Sequence, residues 1–468
     1  MTQSLVAPAW LKKPADMNAI SKQIWPLTAE RSKAGALEIG GQSVIELASE
    51  FGTPLFVIDQ ADFEAKANSF KSAFDQAFKK IGTTAKIYYA GKAFLCTEIV
   101  RWVDSLGLNI DVASGGELAV ALAAGIEPAR IGLHGNNKSL IEIGRAVSNR
   151  VGAIVIDSEI EIERIAAAAA SQQLVQPVRL RVNCGVHAST HEYLATASED
   201  QKFGIAMNDV EALVAKIRSH SSLKFLGLHS HIGSQIHAIE GFIEATKRLL
   251  EIHAKLSITA PVPELNLGGG FGIAYVSDDE PLPFDAIATA IAQTVEAKCK
   301  SLGIDVPVIA FEPGRALIGQ AGVTIYKVGT IKDVILTDHG DQVRKYVSVD
   351  GGMSDNMRTA LYEARYSASL ASRASNSQPA LSRVVGKHCE SGDIVVRDGY
   401  LPQDIAPNDL LAVAATGAYC FSLANNYNYL ARPAVVAVRD GNAKLIVRGE
   451  TEQDLLARDT GVISKENL

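Results

Sequence analysis

The segment KIYYAGKAFL, residues 86–95, reads as a buried strand that ends in a lysine. Residues 87–90 are apolar or aromatic, as expected of a strand covered on both faces, and Gly91 frees the backbone before Lys92. Charged side chains are seldom buried without a partner. Lys92 is therefore either a surface residue just past the strand or a reactive amine, and the segment by itself favours the surface residue.

Outward from this segment, apolar runs alternate with helix-like spacers over residues 54–316. Near-continuous apolar runs are typical of parallel sheets that are covered on both faces. The spacers include amphipathic stretches at 116–125 and 159–173, which are long enough for crossover helices. Eight such βα units favour a TIM (β/α)8 barrel over an open doubly wound sheet. The runs that follow the first are 108–114, 130–136, 153–159, 178–183, 225–235, 264–272 and 308–315.

Beyond about residue 320, strand-like runs with turn signals predominate and little helix is predicted between them. The tripeptide 440–442, Asp-Gly-Asn, lies between two such runs and predicts a hairpin turn. We therefore expect a second, mainly antiparallel domain, a β-sandwich or β-barrel, and the early segment 51–59 could belong to it. The Ser- and Ala-rich segment 365–381 is predicted to be an exposed loop. The predicted divisions are an N-terminal extension (1–35), a segment contributing to the β domain (36–58), the barrel (59–318) and the β domain (319–468).

The composition excludes several classes of protein. The 468 residues are 47% hydrophobic and 21% charged, as in ordinary globular proteins, and 45 basic against 52 acidic residues leave no basic footprint for nucleic acid. The five cysteines are scattered, odd in number and without a CxxC pair, which argues against a disulfide scaffold or structural zinc and favours a reducing cytoplasm. Residues 1–35 contain no apolar core of signal-peptide length, and no stretch is expected to span a membrane.

Polar residues follow most of the predicted strands. In a TIM barrel the active site is built at the carboxyl ends of the strands, so these side chains are expected to converge. That convergence changes the interpretation of Lys92 from a surface residue to a reactive amine. The residues placed at strand ends are Lys92, Asp111, Ser114, His134, Asn136, His231, Gly233, Ser234, Gly268, Gly269, Gly270, Glu312 and Arg315.

Each feature also has a simpler interpretation when it is taken alone. The glycines 268–270 could bind an anion through their amide N–H groups, or simply form a tight turn with positive φ. Glu312 and Arg315 could be a structural ion pair, and His231 could be a core histidine. Together, however, a lysine, a glycine-rich anion site, a carboxylate and an imidazole are what pyridoxal phosphate (PLP) requires.

The chain resembles the fold-type III PLP decarboxylases, and among them most closely the diaminopimelate decarboxylases, which make L-lysine from meso-2,6-diaminopimelate in the last step of lysine biosynthesis. The resemblance runs from about residue 50 to residue 435 and does not include the N-terminal extension or the segment 365–381. The segments that carry it are YYAGKA, DVASGGEL, HSHIGSQ, LNLGGGFG, FEPGR, VDGGMSDNMRTALY, GKHCESGD and GAYCFS.

The resemblance implies roles in holding the cofactor. Lys92 would bind it covalently, His231 would lie against its ring, and Glu312 would pair with the ring nitrogen and keep it protonated. The phosphate would be held by Ser234, by the backbone of residues 268–270 and by Tyr419. Asp111 and Arg315 complete the expected set of cofactor-binding residues.

It also implies how the substrate is recognised. Diaminopimelate carries a distal carboxylate as well as a distal amine, and a carboxylate favours arginine, whose planar fork can bind both oxygens. Arg358 with nearby Tyr362 is the first candidate and Arg315 the second, while Glu390 would pair with the distal ammonium. Tyr419 is also expected to contact the substrate.

Cys389 is expected to be the general acid that protonates the α-carbon after CO2 leaves. In the family the loop that carries this cysteine reaches the cofactor of the other subunit. The resemblance therefore implies a homodimer with two shared active sites. The other four cysteines are interpreted as inert.

Three alternatives stay open beside this interpretation. An ornithine- or arginine-type decarboxylase of the same fold is disfavoured by Arg358 with Tyr362, and an alanine-racemase-like isomerase by the HCESGD pattern. A PLP carrier without catalysis would resemble the barrel alone. A metal site at His187, His191 and Glu192 is rejected, because PLP chemistry needs no metal and segment 188–205 reads as a loop.

Overall fold

The computed structural model describes residues 7–186, 202–339 and 341–462. The chain divides into two compact units. The barrel unit consists of Glu64–Ile273 and Glu280–Leu317. The β unit consists of Met1–Phe63, Ala274–Asp279 and Ile318–Leu468, so a short piece that follows the glycine-rich segment belongs to it.

The N-terminal part of the β unit begins with a small antiparallel sheet of β1 (Glu30–Arg31), β2 (Leu37–Ile39) and β3 (Gln42–Ser43). Helix α1 (Val44–Phe51) starts where the Ser43 side chain accepts a hydrogen bond from the backbone N–H of Ile45, which satisfies one free amide of the first turn. Strand β4 (Leu55–Asp59) follows and is buried along its whole length.

The barrel unit contains eight parallel strands that close on themselves, because β13 pairs with β5 and β9 pairs with β8. The predicted eight-stranded barrel is confirmed. The strands are β5 (Ala85–Ala90), β6 (Asn109–Val112), β7 (Ile131–Leu133), β8 (Ala153–Ile156), β9 (Gln176–Asn183), β11 (Leu223–His229), β12 (Glu264–Asn266) and β13 (Val308–Phe311), and the short β10 (Ile205–Ala206) pairs with β9 outside the closed ring.

Helices connect these strands, and caps at their N-termini help to end the loops that carry site residues. Ser114 caps the helix after β6, and Ser139 with Glu142 forms a capping box at the helix after β7. The helices are α2 (Gln60–Lys80), α3 (Thr97–Ser105), α4 (Gly115–Ala124), α5 (Leu140–Ser148), α6 (Glu159–Ser171), α7 (Val210–Ser219), α8 (Glu240–Thr259) and α9 (Phe284–Leu302).

An aromatic cluster holds α2 against the barrel. Phe70, Phe74 and Phe78 are spaced four residues apart, so they share one helix face and contact Phe271 and Phe311. The Phe74 and Phe311 ring centroids are 4.4 Å apart. Truncation of one such ring to alanine is expected to cost about 3–5 kcal/mol.

The β unit is completed by strands from the C-terminal part of the chain. Its main sheet has the order β18-β17-β15-β14-β4-β20-β21, with β19 paired to β14 and to β16, and most of its pairs are antiparallel. Helix α10 (Arg315–Ile318) spans the residue at which the chain passes from the barrel unit into the β unit. The elements that follow it are β14 (Gly322–Leu336), β15 (Gln342–Val349), α11 (Arg358–Tyr362), β16 (Ala368–Leu370), β17 (Pro379–Val385), β18 (Ile394–Pro402), β19 (Leu410–Ala414), β20 (Ala434–Arg439), β21 (Asn442–Val447) and α12 (Glu452–Leu456).

The predicted hairpin at residues 440–442 is confirmed. Arg439 pairs with Asn442, so the loop has two residues, and Asp440 and Gly441 both have positive φ, at 49° and 74°. Positive φ at both central positions is typical of a type I′ turn, whose twist matches that of the flanking strands.

The prediction that segment 365–381 is an exposed loop is wrong. It contains β16 and the start of β17, and Tyr366, Leu370 and Ala371 are buried. The N-terminal extension covers it: Asn18 and Ser375 exchange two hydrogen bonds of 2.9 and 2.8 Å. The small Ser and Ala residues that suggested a loop instead allow close contact between the two segments.

A second anchor between these segments is Arg31, whose Nη2 donates to Ser369 Oγ at 2.9 Å and to the Leu370 carbonyl at 2.7 Å. The Leu37 amide donates to the Ala371 carbonyl at 2.8 Å. Within the described ranges, no helix combines the length and the hydropathy needed to cross a bilayer.

Candidate active site

Lys92 lies just beyond the carboxyl end of β5, in a single 3-10 turn. A Cβ atom on Gly91 would lie 2.8 Å from the Asp111 carbonyl oxygen, so glycine is required for the close approach of β5 and β6 at this point. The Lys92 side chain is accessible to solvent. Surrounding protein atoms nevertheless desolvate it and lower the pKa of its amine, an effect that the Glu312 carboxylate opposes. A lowered pKa favours the neutral, nucleophilic amine.

Glu312 follows β13 and is the centre of a buried polar cluster. Its Oε1 accepts from Asn266 Nδ2 at 2.7 Å, and its carboxylate lies 3.1 Å from His229 Nε2 and 3.5 Å from His134 Nε2. Burial alone would raise the pKa of this carboxyl, but the two histidines hold it well below its ordinary value. Glu312 is therefore ionised although it is almost inaccessible to solvent.

The two histidines are neutral at ordinary pH. Burial lowers the pKa of both His134 and His229 to about 4. A neutral imidazole 3.1 Å from a carboxylate contributes its N–H, so His229 is a donor through Nε2. The three acid and imidazole groups have their ligand atoms within 4.8 Å of one another, the spacing of a metal site. The hydrogen bond between His229 and Glu312 accounts for one side of this cluster, and His134 lies 3.5 Å from the carboxylate. The absence of a metal stays a prediction.

Asp111 ends β6 next to this cluster and behaves in the opposite way. Its burial, with the nearby Glu312 charge, raises the pKa of the Asp111 carboxyl well above its ordinary value. His134 Nε2 lies 3.1 Å from Asp111 Oδ1. The pKa values of these two neighbouring carboxyl groups are thus shifted in opposite directions, which favours the protonated form of Asp111 and the ionised form of Glu312.

His231 and the glycine-rich segment meet at the same end of the barrel. The Gly269 amide donates to His231 Nδ1 at 3.2 Å, so the imidazole proton is on Nε2. Burial, and secondarily the Lys92 charge, lowers the pKa of His231 to about 3. Gly268 has φ of 68°, and a Cβ there would lie 2.5 Å from the Ser230 carbonyl oxygen.

The expectation that three glycine amides are free for an anion is only partly met. The Gly268 amide donates to Asn266 Oδ1 at 2.8 Å, and the Gly269 amide donates to His231. These bonds hold the turn in shape, so they fix Asn266 and His231 rather than a ligand. Of the three glycine amides, that of Gly270 donates to no acceptor among the described residues.

Ser234 and Arg315 are brought together as a pair. Arg315 Nη2 donates to Ser234 Oγ at 2.9 Å, and the arginine is 8% exposed. A guanidinium and a hydroxyl at the loop end of a TIM barrel suit an anionic group. All predicted cofactor residues except Tyr419 therefore lie at one end of the barrel unit.

The remaining predicted site residues belong to the β unit. Arg358, on α11, is buried, and its Nη1 donates to the hydroxyl oxygens of Tyr275 at 2.9 Å and Tyr366 at 2.6 Å. The predicted neighbour, Tyr362, is 63% exposed on the same helix. The pairing of Arg358 with Tyr275 and Tyr366 was missed, because Tyr366 lies in the segment predicted to be a loop.

Cys389 and Glu390 lie on the loop before β18 and are exposed in the single chain. The Cys389 amide donates to Asn428 Oδ1 at 3.1 Å. Glu390 accepts from the Gly392 amide, which lowers the pKa of its carboxyl. Tyr419 is half-buried and has φ of 62°. The alternative metal residues His187, His191 and Glu192 lie outside the described residues.

Comparison with known proteins identifies the family. Residues 60–319 match the model of the pyridoxal-dependent decarboxylases, described as their pyridoxal binding domain. The diaminopimelate decarboxylase of Mycobacterium leprae is 47% identical over 464 residues, which cover 97% of this chain and 96% of that protein. The chain belongs to the diaminopimelate decarboxylase family. The predicted family and its PLP cofactor are confirmed.

Further members of the diaminopimelate decarboxylase family agree. That of Bacillus subtilis is 43% identical, covering 92% of this chain and 97% of its own. The crystal structure from M. jannaschii, in complex with L-lysine, superposes with a TM-score of 0.86 at 32% identity and covers 94% of this chain and 99% of its own. A lysine/ornithine decarboxylase from Vibrio vulnificus, at 20% identity and TM-score 0.70, covers 84% of this chain and 97% of its own, and shares the fold.

Proposed function

We propose that this chain decarboxylates meso-2,6-diaminopimelate to L-lysine and CO2, using pyridoxal phosphate. The observation that carries the proposal is the buried carboxylate of Glu312, whose two oxygens accept hydrogen bonds from Asn266 and from the neutral imidazole of His229. Such a group needs a positive partner, and a protonated ring nitrogen supplies one. The relatives named as diaminopimelate decarboxylases span nearly the whole chain.

The residues at the end of the barrel fit this cofactor. Lys92 would hold it covalently, His231 would lie against the ring, and Arg315 with Ser234 and the Gly270 amide would hold its phosphate, together with Tyr419. When bound, pyridoxal phosphate supplies an electron sink for the pair released as CO2 leaves, provided that its ring nitrogen stays protonated.

Glu312 acts by keeping that proton in place. Because its pKa is held well below the ordinary value, it stays a carboxylate over the working pH range and stabilises a positive charge on the ring nitrogen. The raised pKa of the neighbouring Asp111 carboxyl favours its protonated, uncharged form. This favours a single negative charge on the pair, at Glu312.

Most of the residues proposed to recognise the substrate belong to the β unit, and Arg315 belongs to the barrel unit. Arg358 would bind a substrate carboxylate, with Arg315 as the second candidate and Tyr362 and Tyr419 as further contacts. Glu390 would bind the distal ammonium. A site matched to both distal groups rejects ornithine, because ornithine has no distal carboxylate and would leave the buried arginine of the site without a partner.

Cys389 is proposed to give the α-carbon its proton, in an active site shared between two subunits of a homodimer. Its exposure in the single chain, with that of Glu390, supports a position at a subunit interface. Mixing a Lys92→Ala chain with a Cys389→Ala chain should restore part of the activity, whereas complete failure to complement would contradict shared sites. The cytoplasm is the proposed location, since all five cysteines are free of disulfides.

The function is tested by measuring CO2 release from meso-diaminopimelate, ornithine, arginine and lysine with the purified protein in the presence of PLP. Release from meso-diaminopimelate alone is expected, with L-lysine as product. Borohydride reduction followed by peptide mapping should place the cofactor on Lys92. Bound PLP with no CO2 from any of the four amino acids would instead favour a carrier protein, and a label on another lysine would overturn the site.

A further inference from the structure

Arg358 is held by a buried polar network that the assigned substrate contacts do not explain. The guanidinium is 7% exposed, and its two side-chain hydrogen bonds to described residues both start at Nη1. Nη1 carries two hydrogens, and the hydroxyl oxygens of Tyr275 and Tyr366 accept one each. Both tyrosines are themselves buried, at 5% and 2% exposure, so the pair forms a fixed support.

The network has a defined direction. Arginine has no acceptor, so the Tyr366 oxygen accepts from Arg358 and its own hydrogen is free to point to Cys420 Sγ, 3.5 Å away. The Cys420 thiol in turn donates to Asn356 Oδ1 at 3.6 Å. Burial raises the pKa of the Tyr366 phenol well above its ordinary value, so the hydroxyl keeps its proton. Each of these hydrogen bonds is therefore consistent with a series of donors and acceptors that starts at the Arg358 guanidinium.

This arrangement limits how Arg358 can bind a carboxylate. A guanidinium binds both oxygens either through its two Nη atoms or through Nε and one Nη. Because Nη1 already donates to two phenols, the edge formed by Nε and Nη2 is the one with hydrogens to offer. We propose that Tyr275 and Tyr366 are positioning residues that turn the Nε–Nη2 edge of Arg358 toward the substrate carboxylate.

This inference rests on the proposed function, in which Arg358 binds a carboxylate that the reaction leaves in place. L-lysine retains that carboxylate, whereas cadaverine (1,5-diaminopentane) is the same molecule without it. The difference between their affinities therefore reports on recognition of the carboxylate, and its change in a variant of the Arg358 network reports on that arginine. A loss of folding or of cofactor would weaken both ligands together.

The test measures binding of L-lysine and of cadaverine to the PLP-loaded enzyme by calorimetry, for the wild type, Tyr366→Phe and Tyr275→Phe. Each variant keeps the aromatic ring and loses one hydrogen bond to the charged guanidinium. Loss of such a bond is expected to lower the affinity for the carboxylate about tenfold. Lysine binding should weaken about tenfold while cadaverine binding stays within twofold. The KM for meso-diaminopimelate should rise similarly, with kcat changed less than twofold.

A matched control is available in the same unit. Tyr346 accepts a hydrogen bond from Arg383 Nη1 at 3.4 Å, and the Arg383 guanidinium lies 5.7 Å from the Tyr346 ring centroid, the same distance as between Arg358 and the Tyr366 ring. Tyr346→Phe removes the same kind of contact at an arginine outside the site. It should change neither ligand's affinity.

A second comparison tests the chain beyond Tyr366. Cys420→Ser retains a group that both accepts and donates, so lysine binding should stay near the wild-type value, whereas Cys420→Ala should weaken it about threefold, as expected for a neutral hydrogen bond. Equal weakening of lysine and cadaverine, or wild-type lysine binding in both tyrosine variants, would overturn the inference. Failure of the wild type to decarboxylate meso-diaminopimelate would contradict the proposed function. The affinities for L-lysine and cadaverine would still test the positioning role independently.

Discussion

One buried charge of the barrel unit, Glu312, and one of the β unit, Arg358, are stabilised in the same manner. In the barrel, Glu312 is hydrogen-bonded by the amide of Asn266 and the neutral imidazole of His229. In the β unit, Arg358 is hydrogen-bonded by two phenols, Tyr275 and Tyr366. Neutral dipoles solvate a buried charge without cancelling it, so each remains able to attract an opposite charge on a ligand.

Two buried ion pairs of the barrel unit show the contrast. Lys138 and Glu161 form an ion pair of 3.0 Å, and Arg179 pairs with Glu264 at 2.7 Å. In these pairs the opposite charge belongs to the protein, and nothing is left for a ligand. The kind of partner thus separates structural charges from candidate site charges more clearly than burial does.

The largest expected effect comes from removing the barrel charge. Glu312→Gln keeps the size of the side chain but removes its charge and replaces one acceptor oxygen by a donor NH2 group, so a fall in kcat of about 10²–10³-fold is expected from lost electrostatic stabilisation. KM should change much less. Steady-state kinetics with meso-diaminopimelate checks this. The matched variant Glu161→Gln alters an ion-pair carboxylate, and an equal loss of kcat there would remove the distinction between the two kinds of charge.

Next in size is the charge of the β unit. Arg358→Lys keeps a positive charge but loses the planar fork, so binding of the carboxylate should weaken about 10–100-fold. The effect should lie in KM, because recognition rather than the electron sink is disturbed. If kcat fell and KM stayed constant, the assignment of Arg358 to the carboxylate would be wrong.

A third prediction concerns pH. The pKa values of His134 and His229 are about 4 in the folded protein, against about 6.5 when unfolded, so the unfolded state binds more protons between those values. Stability should therefore fall as the pH is lowered from about 6.5 to 4, by up to about 1.4 kcal/mol per pH unit for each histidine. Denaturant unfolding over that range should show a shallower pH slope for His229→Asn than for the wild type.

His253 is the matched control for that slope. It lies on α8, and burial also lowers its pKa to about 4, yet it is not among the residues around Glu312. His253→Asn should flatten the pH dependence of stability in the same way and leave the pH profile of decarboxylation unchanged. If His253→Asn also altered the pH profile of decarboxylation, a change in that profile could not be attributed to the histidines around Glu312.

The smallest expected effect is at the N-terminal extension. Asn18→Ala removes the two hydrogen bonds to Ser375 and should lower the free energy of unfolding of the β unit by about 1–2 kcal/mol. Hydrogen exchange should show the loss in segment 365–381 and leave the barrel strands unchanged. Gln76→Ala, which removes an exposed contact to Ser72 on α2, should have no measurable effect.

The sequence predicted the barrel site better than the β unit, for a physical reason. Strand ends of a parallel barrel converge by topology, so Lys92, Asp111 and Glu312 could be placed together before the structure was known. His134 was also placed there, but two partners of Glu312, Asn266 and His229, were missed, although a signal was present. Asn266 stands in an apolar strand, and His229 precedes His231 by two residues, which predicts one strand face.

In the β unit no such rule applies. Arg358 was identified through resemblance, and its support comes from Tyr275 and Tyr366, which are far apart in the chain. Small residues in segment 365–381 were interpreted as a loop, because composition does not reveal that another segment covers them. Long-range contacts between irregular segments are set by packing, which leaves little periodic signal in the sequence.

The position of β4 has a consequence for synthesis of the chain. This strand is made early, yet its neighbours are β14 and β20, the latter ending at Arg439. Both edges of β4 therefore stay unpaired while the whole barrel is being translated. A nascent chain in this state exposes an unpaired apolar strand edge that can pair with the same strand of a neighbouring nascent chain. Slow translation of the C-terminal third should therefore favour aggregation, and binding of chaperones to the nascent chain should be greatest at that stage.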